Sequence, residues 1–136
     1  MTPAVRIEKT FAPEFLAAAA RLYRIAEWVE PGDNCAFLET ALGNSCAVAA
    51  AYDGSRLVGM GRALGDGCSD AYIQDVVVDP AYRRRGIGAA LVRALADELR
   101  RRGVDWIALV GVPGTEEFYR SLGFEAPAGF TFWKLP

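Results

Sequence analysis

One stretch of the chain joins a buried strand almost directly to an amphipathic helix, through a loop rich in arginine and glycine. Residues 73–78 are apolar apart from Gln74 and Asp75, and apolar residues recur at helical spacing after Gly86. Between the strand and the helix lies Arg83-Arg84-Arg85-Gly86-Ile87-Gly88. Guanidinium charge, residues without Cβ and the free N–H groups of a helix N-terminus together predict a binding site for a pyrophosphate.

Length and composition limit what surrounds this unit. With 136 residues, 52% of them hydrophobic, the sequence predicts one domain over residues 1–136 with an adequate core. A net charge of -2 argues against general nucleic-acid binding, although Arg83–Arg85 and Arg100–Arg102 concentrate positive charge around one helix. No segment near the N-terminus is typical of a signal peptide, and no apolar run approaches membrane-spanning length. We therefore expect a cytoplasmic protein without a membrane partner.

The residue types that are missing restrict the chemistry. The chain has no histidine, which excludes a Ser-His-Asp or Cys-His catalytic centre and removes the commonest metal ligand. Cys35, Cys46 and Cys68 lack Cys-x-x-Cys spacing, so we expect no disulfide framework and no metal site. Proton transfer then has to use carboxylates, tyrosines, cysteines, lysines, the backbone or water.

Helical and strand-like patterns follow one another in a mixed order. The predicted helices begin at Pro13, at an Asp33 N-cap, near Gly86 and at Thr115, and the last three end near Gly43, Gly103 and Gly123. The predicted strands cover residues 5–9, 46–52, 56–64, 71–78, 106–110 and 130–135. This order predicts an α/β fold with about four helices and a single mixed sheet of six to seven strands.

The arginine and glycine loop resembles motif A of the GNAT acyltransferase superfamily, Arg/Gln-x-x-Gly-x-Gly/Ala, whose members hold the pyrophosphate of acetyl-CoA on such a loop. Phe118 to Phe124 is similar to the Phe-Tyr-x-x-x-Gly-Phe signature of the same superfamily. The two motifs stand in the expected order with one strand between them, and the order of elements matches the GNAT fold along nearly the whole chain. The resemblance implies that the strands at 73–78 and 106–110 splay apart to admit the pantetheine arm.

The resemblance also implies acetyl-CoA as the cofactor, with coenzyme A as the product. The residues that it assigns to the cofactor are Val76, Val77, Val78, Arg83, Arg84, Arg85, Gly86, Ile87, Gly88, Ala89 and Tyr119. The chain departs from the family in one place. Many members have an asparagine after the strand that corresponds to 106–110, whereas this chain has Gly111-Val112-Pro113-Gly114, so that contact with pantetheine has to be supplied otherwise.

Two residues are candidates for catalysis. Asp75 interrupts a buried strand, and a carboxylate in such a place needs partners or a shifted pKa, which is typical of functional sites. In glucosamine-phosphate acetyltransferases, acidic or polar residues at these positions touch the amine or a water that deprotonates it. The resemblance therefore implies that Asp75 is the base, directly or through a water. For Gln74, a structural role in a hydrogen-bonded pair accounts for the position as well as a functional role does. In many members the tyrosine that matches Tyr119 protonates the leaving thiolate. The alternative for Tyr119 is a structural role in the core or at the rim of the site, with a local hydrogen bond.

The resemblance places the acceptor pocket between the first two helices, their connecting loop and a final hairpin. The residues predicted to contact the substrate are Trp28, Tyr72, Gln74, Asp75 and Trp133, with Tyr23, Phe37 and Phe130 as further candidates for an aromatic wall. Acidic residues that could attract a cation are Glu27, Glu30, Asp33, Asp66 and Asp70. We expect transfer to the primary amine of a small molecule, such as an arylalkylamine, polyamine or amino sugar, by direct attack in a ternary complex.

Other functions stay open from the sequence. A non-catalytic acyl-CoA-binding or regulatory domain would keep the cofactor loop without turnover, and a protein or peptide N-terminal acetyltransferase would use the same chemistry. An enzyme acting on charged transfer RNA would need a broader basic surface than a net charge of -2 suggests. Superfamily members are often dimers through edge strands, so the resemblance allows a homodimer.

Overall fold

The structure is a computed structural model that describes residues 3–136. Within this range five strands form one sheet. In chain order and in spatial order they are β1 (Ala4–Glu8), β2 (Ala47–Asp53), β3 (Arg56–Gly65), β4 (Asp70–Val78) and β5 (Trp106–Leu109). The helices are α1 (Pro13–Ile25), α2 (Phe37–Gly43), α3 (Ile87–Arg101) and α4 (Glu116–Ser121), and a short 3-10 turn covers Pro80–Tyr82.

Strand direction follows from the connections. The first four strands are antiparallel neighbours, and Gly54, with a φ of 61°, makes the tight turn of the β2–β3 hairpin. β5 runs parallel to β4, which requires a crossover, and α3 supplies it. The predicted mixed α/β sheet is therefore confirmed.

Helices cover both faces of this sheet, and a separate apolar cluster fills each side. On one face, Leu91, Leu95 and Leu99 of α3 pack in one cluster with Val58 and Ile73. This is the buried stripe that the helical spacing predicts. On the other face, apolar residues of α1 and α2 pack against β2 and β3 in a second cluster, which includes Leu22, Leu38, Leu42, Val48 and Met60. β2 contributes alternate residues to the two clusters, as expected for a strand buried on both sides.

The predicted strand over residues 130–135 is wrong. Among the described residues no strand follows Leu109, so the sheet has five strands rather than six to seven, and the final hairpin is absent. The alternating apolar pattern is typical of a strand, but a strand also needs an edge to pair with. Residues 127–136 make no recorded backbone hydrogen bond to β5 within the described chain. Phe130 and Trp133 are consequently 73% and 86% exposed.

The predicted N-cap of the second helix is also wrong. α2 begins at Phe37, and the residue before it is Ala36. The Asp33 carboxylate instead accepts a hydrogen bond from the backbone N–H of Cys35 at 2.7 Å, and Cys35 has a φ of 55°. Asp33 therefore stabilises a turn that precedes the helix. Among the described helices, none is both long and apolar enough to cross a membrane.

Candidate active site

β4 and β5 pair only over the first four residues of each strand. Their register runs from Asp70 opposite Trp106 to Ile73 opposite Leu109. β5 ends there, whereas β4 continues to Val78. Within the described chain, residues 74–78 therefore have β3 on one side and no strand on the other. This open side is the gap predicted between the two parallel strands.

Asp75 lies in a β-bulge beside the gap. Met60 pairs with Val77 and Arg62 pairs with Gln74, so Asp75 and Val76 together oppose the single residue Gly61. Asp75 has a φ of 56°. A left-handed backbone at a residue with a side chain costs about 1–3 kcal/mol, and bulges of this kind concentrate near active sites.

Two side chains bind the same oxygen of Asp75. Oδ2 accepts a hydrogen bond from the Tyr23 hydroxyl at 2.7 Å and another from Nε of Arg62 at 2.8 Å. Hydrogen bonds to a charged group each contribute about 1.5–3 kcal/mol, which is enough to offset the backbone cost of the bulge. Among residues 3–136 no donor is recorded at the other oxygen, Oδ1. The carboxylate is thus paired and still has a free oxygen.

Tyr23 remains a hydrogen-bond donor at any ordinary pH. Burial, followed by the hydrogen bond to Asp75, raises the pKa of the Tyr23 hydroxyl well above its usual value. The family resemblance made Tyr23 a candidate for an aromatic wall and did not predict its bond to Asp75.

Arg62 is a site residue that the sequence analysis missed. Its side chain is only 12% exposed, and Nη1 lies 3.3 Å from Ser45 Oγ and 3.4 Å from the carbonyl oxygen of Ala41, at the end of α2. A signal was present, because Arg62 is the one charged residue between Leu57 and Leu64. Opposite charges on two adjacent buried strands predict an ion pair.

Exposed aromatic rings lie on the same side of the sheet as Tyr23. The rings of Trp28 and Phe37 meet the Tyr23 ring edge-on, with centroids 5.1 Å and 6.0 Å away, and both residues are 45% exposed. A shallow cavity of about 600 Å³ adjoins Trp28; its charged lining consists of Arg24, Glu27, Glu30 and Asp33. The predicted aromatic residues Trp28 and Phe37 therefore meet at Tyr23, which binds Asp75, and the predicted acidic residues lie beyond Trp28.

The other predicted substrate residues are more dispersed. Tyr72 and Gln74 alternate with Ala71 and Ile73, which face α3, so their side chains lie on the α1–α2 face with the aromatic rings. Trp133 is exposed in the C-terminal segment, away from any strand or helix.

Asp66 and Asp70 stand at the start of β4, at the end opposite Val78. The Asp66 carboxylate accepts hydrogen bonds from Ser69 and from the backbone N–H groups of Cys68 and Asp70, and these bonds lower its pKa. The turn accounts for Asp66 without any substrate.

The loop after β4 has the geometry that an anion site requires. Arg84 and Gly86 adopt left-handed conformations, with φ values of 63° and 78°. Such a loop turns successive backbone N–H groups toward one concave side. Gly86 precedes α3 without any side-chain cap, so the first N–H groups of this 15-residue helix are available to a ligand. Arg83 and Arg85 are exposed. Within residues 3–136 they donate to the backbone carbonyls of Val78 and Ala81, and the Arg85 guanidinium also lies over the Tyr82 ring. These donors fit the pyrophosphate of acetyl-CoA.

Asp79 anchors this loop and was also missed. Its Oδ1 accepts the Ala81 N–H at 2.9 Å, and its Oδ2 accepts Nη2 of Arg21 at 2.9 Å. The Ala81 bond first, and then Arg21, lower the pKa of this buried carboxyl. Asp followed by Pro at the end of a strand is a turn signal that predicts such a cap.

Tyr119 packs beside the start of α3. Its ring meets those of Phe118 and Phe124 edge-on, with centroids 4.9 Å and 6.0 Å away, and Phe118 lies against Gly88, whose added Cβ would sit 3.6 Å from the Phe118 ring. The side chain is half-buried, and burial raises the pKa of its hydroxyl. Tyr119 therefore keeps its proton to a higher pH than an ordinary tyrosine does.

Comparison with known proteins identifies the family. The sequence model of the acetyltransferase (GNAT) family matches residues 7–124. The chain belongs to this family. Over 97% of its length it also superposes on a GNAT family acetyltransferase from Streptococcus pneumoniae TIGR4, with a TM-score of 0.75, 27% identity and 98% of that chain covered. A glucosamine-6-phosphate N-acetyltransferase from Arabidopsis thaliana shares the fold, with a TM-score of 0.73 at 18% identity, covering 97% of this chain and 98% of that one.

Curated GNAT relatives are longer proteins. A histone acetyltransferase from Glycine max is 46% identical over 81 residues, which are 57% of this chain and 35% of that protein. The chloroplastic serotonin N-acetyltransferase 2 from Oryza sativa subsp. japonica is 39% identical over 89 residues, 62% of this chain and 44% of that protein. The match thus spans less than half of each relative.

Gly111, which follows β5 in the segment where this chain departs from many GNAT members, lies close to two side chains. An added Cβ at Gly111 would lie 3.1 Å from Thr115 Oγ1 and 3.5 Å from the Tyr119 ring. The first of these distances is tighter than most side chains tolerate. A glycine at residue 111 therefore accommodates both neighbours where an asparagine side chain would crowd them.

The cysteines of this GNAT chain are free thiols. The charge of Asp66 raises the pKa of the exposed Cys68, and burial raises the pKa of Cys46. Both shifts disfavour the nucleophilic thiolate. In the described part of the chain no group of three histidine, cysteine or acidic side chains is placed to hold a metal ion.

Proposed function

We propose that this GNAT domain transfers an acetyl group from acetyl-CoA to the primary amine of a small molecule. The observation that carries the proposal is the position of Asp75. Its carboxylate, with one free oxygen, lies on the strand that borders the gap, and the same strand leads into the Arg83–Gly88 loop. A proton acceptor and a pyrophosphate site are thus held by one continuous segment.

Acetyl-CoA supplies an activated acetyl thioester when it is bound. The N–H groups at the start of α3 and the guanidinium groups of Arg83–Arg85 would hold its pyrophosphate. Backbone groups of Val76–Val78 on the open side of β4 have no strand partner in the described chain, so they suit hydrogen bonds to the amides of pantetheine.

Asp75 and Tyr119 take the two proton-transfer roles. At neutral pH an alkylamine carries no free lone pair, so Asp75 accepts one proton, directly or through a water. The nitrogen then attacks the thioester carbonyl, the C–S bond breaks, and the Tyr119 hydroxyl gives its proton to the departing sulfur. A second proton leaves the nitrogen as the amide forms and restores Tyr119, so one proton is released overall. A backbone N–H near Val76 would polarise the carbonyl, which is worth about 3–4 kcal/mol in other enzymes.

Direct attack in a ternary complex is favoured over a covalent acyl-cysteine. Such a route needs a thiolate, and burial of Cys46 and the charge of Asp66 beside Cys68 raise the pKa of the two thiols. Cys35 is buried.

The acceptor side favours an amine with an aromatic body. Trp28 and Phe37 present exposed ring surface beside Tyr23. In the cavity next to Trp28, the carboxylates of Glu27, Glu30 and Asp33 outnumber the guanidinium of Arg24, so the lining attracts an ammonium group. The rice relative is named for serotonin, which is an arylalkylamine. We therefore place arylalkylamines first among the acceptors, ahead of polyamines and amino sugars.

A protein amine is the second candidate acceptor, because the soybean relative is named a histone acetyltransferase. A third reading is a domain that binds acetyl-CoA without turnover.

One panel separates these functions. Release of coenzyme A thiol is followed with acetyl-CoA and, in turn, tryptamine, spermidine, glucosamine 6-phosphate and a histone-tail peptide. We expect the largest kcat/KM with tryptamine. A preference for the peptide would establish the protein acceptor instead, and acetyl-CoA binding without thiol release in any arm would establish the non-catalytic domain.

We also propose a homodimer, built from the C-terminal segment and β5. Phe130, Phe132, Trp133 and Leu135 are largely exposed, and the outer edge of β5 has no strand partner in the described chain. A two-fold exchange, with the segment of each copy along β5 of the other, would satisfy both features. These four side chains from each copy, eight in the dimer, would bury on the order of 1,200 Å², the lower limit for a specific interface.

Sedimentation velocity tests the dimer. We expect a dimer for the full chain and a monomer for a chain that ends at Ala128. A full-length monomer would refute the exchange and leave pairing within one chain as the alternative.

A further inference from the structure

The backbone of Asp75 is unusual enough to need support from elsewhere in the molecule. Its φ of 56° lies in the left-handed region, at a bulge where glycine is the usual residue. Asp75 is neither glycine nor at a chain end, so surrounding contacts have to maintain this conformation.

Those contacts come from two other elements and converge on Oδ2. Tyr23 reaches it from α1, and Arg62 reaches it from β3. Arg62 is itself fixed to the end of α2 through Ser45 and the Ala41 carbonyl. The bulge is thereby tied to both helices of the acceptor side.

The arrangement leaves Oδ1 as the oxygen with no recorded donor in the described chain. A carboxylate whose one oxygen is held by two donors has little rotational freedom, so its other oxygen has a fixed direction. We infer that Arg62 and Tyr23 are positioning residues that hold Asp75 in its left-handed bulge and aim its free oxygen at the acceptor amine. The catalytic part of this inference rests on the proposed acetyl transfer, whereas the conformational part does not.

The alternative is that the ion pair only holds the fold together. Both roles predict lower stability when Arg62 or Tyr23 is changed, so stability cannot distinguish them. They differ in two other respects. If Arg62 and Tyr23 position Asp75, replacing either of them changes the backbone conformation at residue 75. The effect of that replacement on kcat also disappears once Asp75 itself is replaced.

The first experiment measures the conformation of residue 75 without using activity. Backbone amide and Cα chemical shifts are recorded by NMR for the wild-type chain and for the variants Tyr23→Phe, Arg62→Met and Arg62→Lys. Arg62→Lys keeps the charge and serves as the second Arg62 variant if Arg62→Met does not fold. The control is Tyr52→Phe, which removes another half-buried hydroxyl, one that donates to Glu8. We expect residue 75 to leave the left-handed pattern in the Tyr23 and Arg62 variants and to keep it in the control. An unchanged residue 75 in these variants would overturn the inference.

The second experiment is a double-mutant cycle in kcat, with tryptamine and acetyl-CoA as the probes. Misplacement of a catalytic group by about 1 Å lowers rates by up to about a hundredfold, so we expect Tyr23→Phe to lower kcat about tenfold while the Kd for acetyl-CoA changes less than about twofold. In an Asp75→Gly background, which tolerates a positive φ, Tyr23→Phe should change kcat less than about twofold.

The outcomes of the cycle separate the two roles. Equal losses in the two backgrounds would assign Tyr23 a structural role only and contradict positioning. If the Asp75→Gly background is too slow to measure, Asp75→Asn replaces it, and a full tenfold loss there would again contradict positioning. If the wild-type chain acetylates no amine, the proposed function fails, and the NMR result still decides whether Arg62 and Tyr23 hold the bulge.

Discussion

Arg62 donates a hydrogen bond from Nε to Oδ2 of Asp75 at 2.8 Å, across the two strands that meet at the β-bulge. The pair explains how a carboxylate occupies a partly buried position between apolar residues of β4. Its charge is balanced by a guanidinium from the neighbouring strand. The carboxylate is therefore available for chemistry at the edge of the gap.

Replacing Asp75 by asparagine should remove activity and keep the fold. Asparagine tolerates a left-handed backbone and still accepts a hydrogen bond, but it cannot take up the amine proton. We expect kcat with tryptamine to fall by about a hundredfold, a typical contribution of a general base. Asp97→Asn, on the exposed side of α3, serves as the matched control and should keep wild-type kcat. A kcat for Asp75→Asn within about threefold of wild type would show that another group is the base.

The pH dependence of kcat should identify Tyr119 as the acid. Because burial raises its pKa above the usual value, the hydroxyl stays protonated through neutral and mildly alkaline pH and loses its proton only above about pH 10. Activity of the wild-type chain should therefore decline above that pH. Tyr119→Phe should lower kcat by about tenfold or more and lack the alkaline decline. An alkaline decline that persists in Tyr119→Phe would assign it to another group.

Asp79 should contribute to stability above acidic pH only. Its pKa is lowered in the folded state, so its contribution is fully present above the unfolded pKa of about 3.9 and is lost as pH falls through the lower folded pKa. We expect Asp79→Asn to lower the free energy of unfolding at pH 7 by about 1–2 kcal/mol and to weaken its decline below pH 4. Urea unfolding at several pH values measures both effects. Parallel stability curves for the two proteins would contradict the assignment.

Two glycine substitutions test the packing of the bulge. An added Cβ at Gly61 would lie 3.1 Å from Val76 Cγ2 and 3.3 Å from Leu95 Cδ1. Gly61→Ala should therefore destabilise the protein by about 1–3 kcal/mol. At Gly43, the last residue of α2, no atom lies within 4 Å of an added Cβ, and Gly43→Ala should be neutral or stabilise by up to about 1 kcal/mol. Similar unfolding midpoints in urea for the two variants would show that the bulge adapts to a side chain.

Local patterns in the sequence predict most of the fold. The apolar stripe of Ile87, Leu91, Leu95 and Leu99 places α3, and Gly86 marks its start, because these features depend on periodicity and on one backbone conformation. The C-terminal strand was predicted wrongly for a physical reason. A strand needs backbone hydrogen bonds to a neighbouring strand as well as a pattern, and within the described chain residues 130–135 are not paired with the free edge of β5.

The candidate site is partly visible in the sequence. The loop at Arg83–Gly88 and the strand carboxylate Asp75 are sequence-local and were both predicted. Arg62 is thirteen residues from Asp75 in the chain, so their ion pair depends on strand register and was missed. The left-handed backbone at Asp75 and Arg84 carries no sequence signal, because neither residue is a glycine.

Calorimetric titration of acetyl-CoA is the most direct test that this chain holds the cofactor on the loop before α3. The wild-type chain is compared with Gly86→Glu, which puts a carboxylate in the anion site, and with Gly103→Glu, the same change at a left-handed glycine beyond the other end of α3. We predict saturable binding by the wild type and by Gly103→Glu, and at least about a tenfold weaker affinity for Gly86→Glu. No binding by the wild type, or equal affinity in all three proteins, would contradict the account.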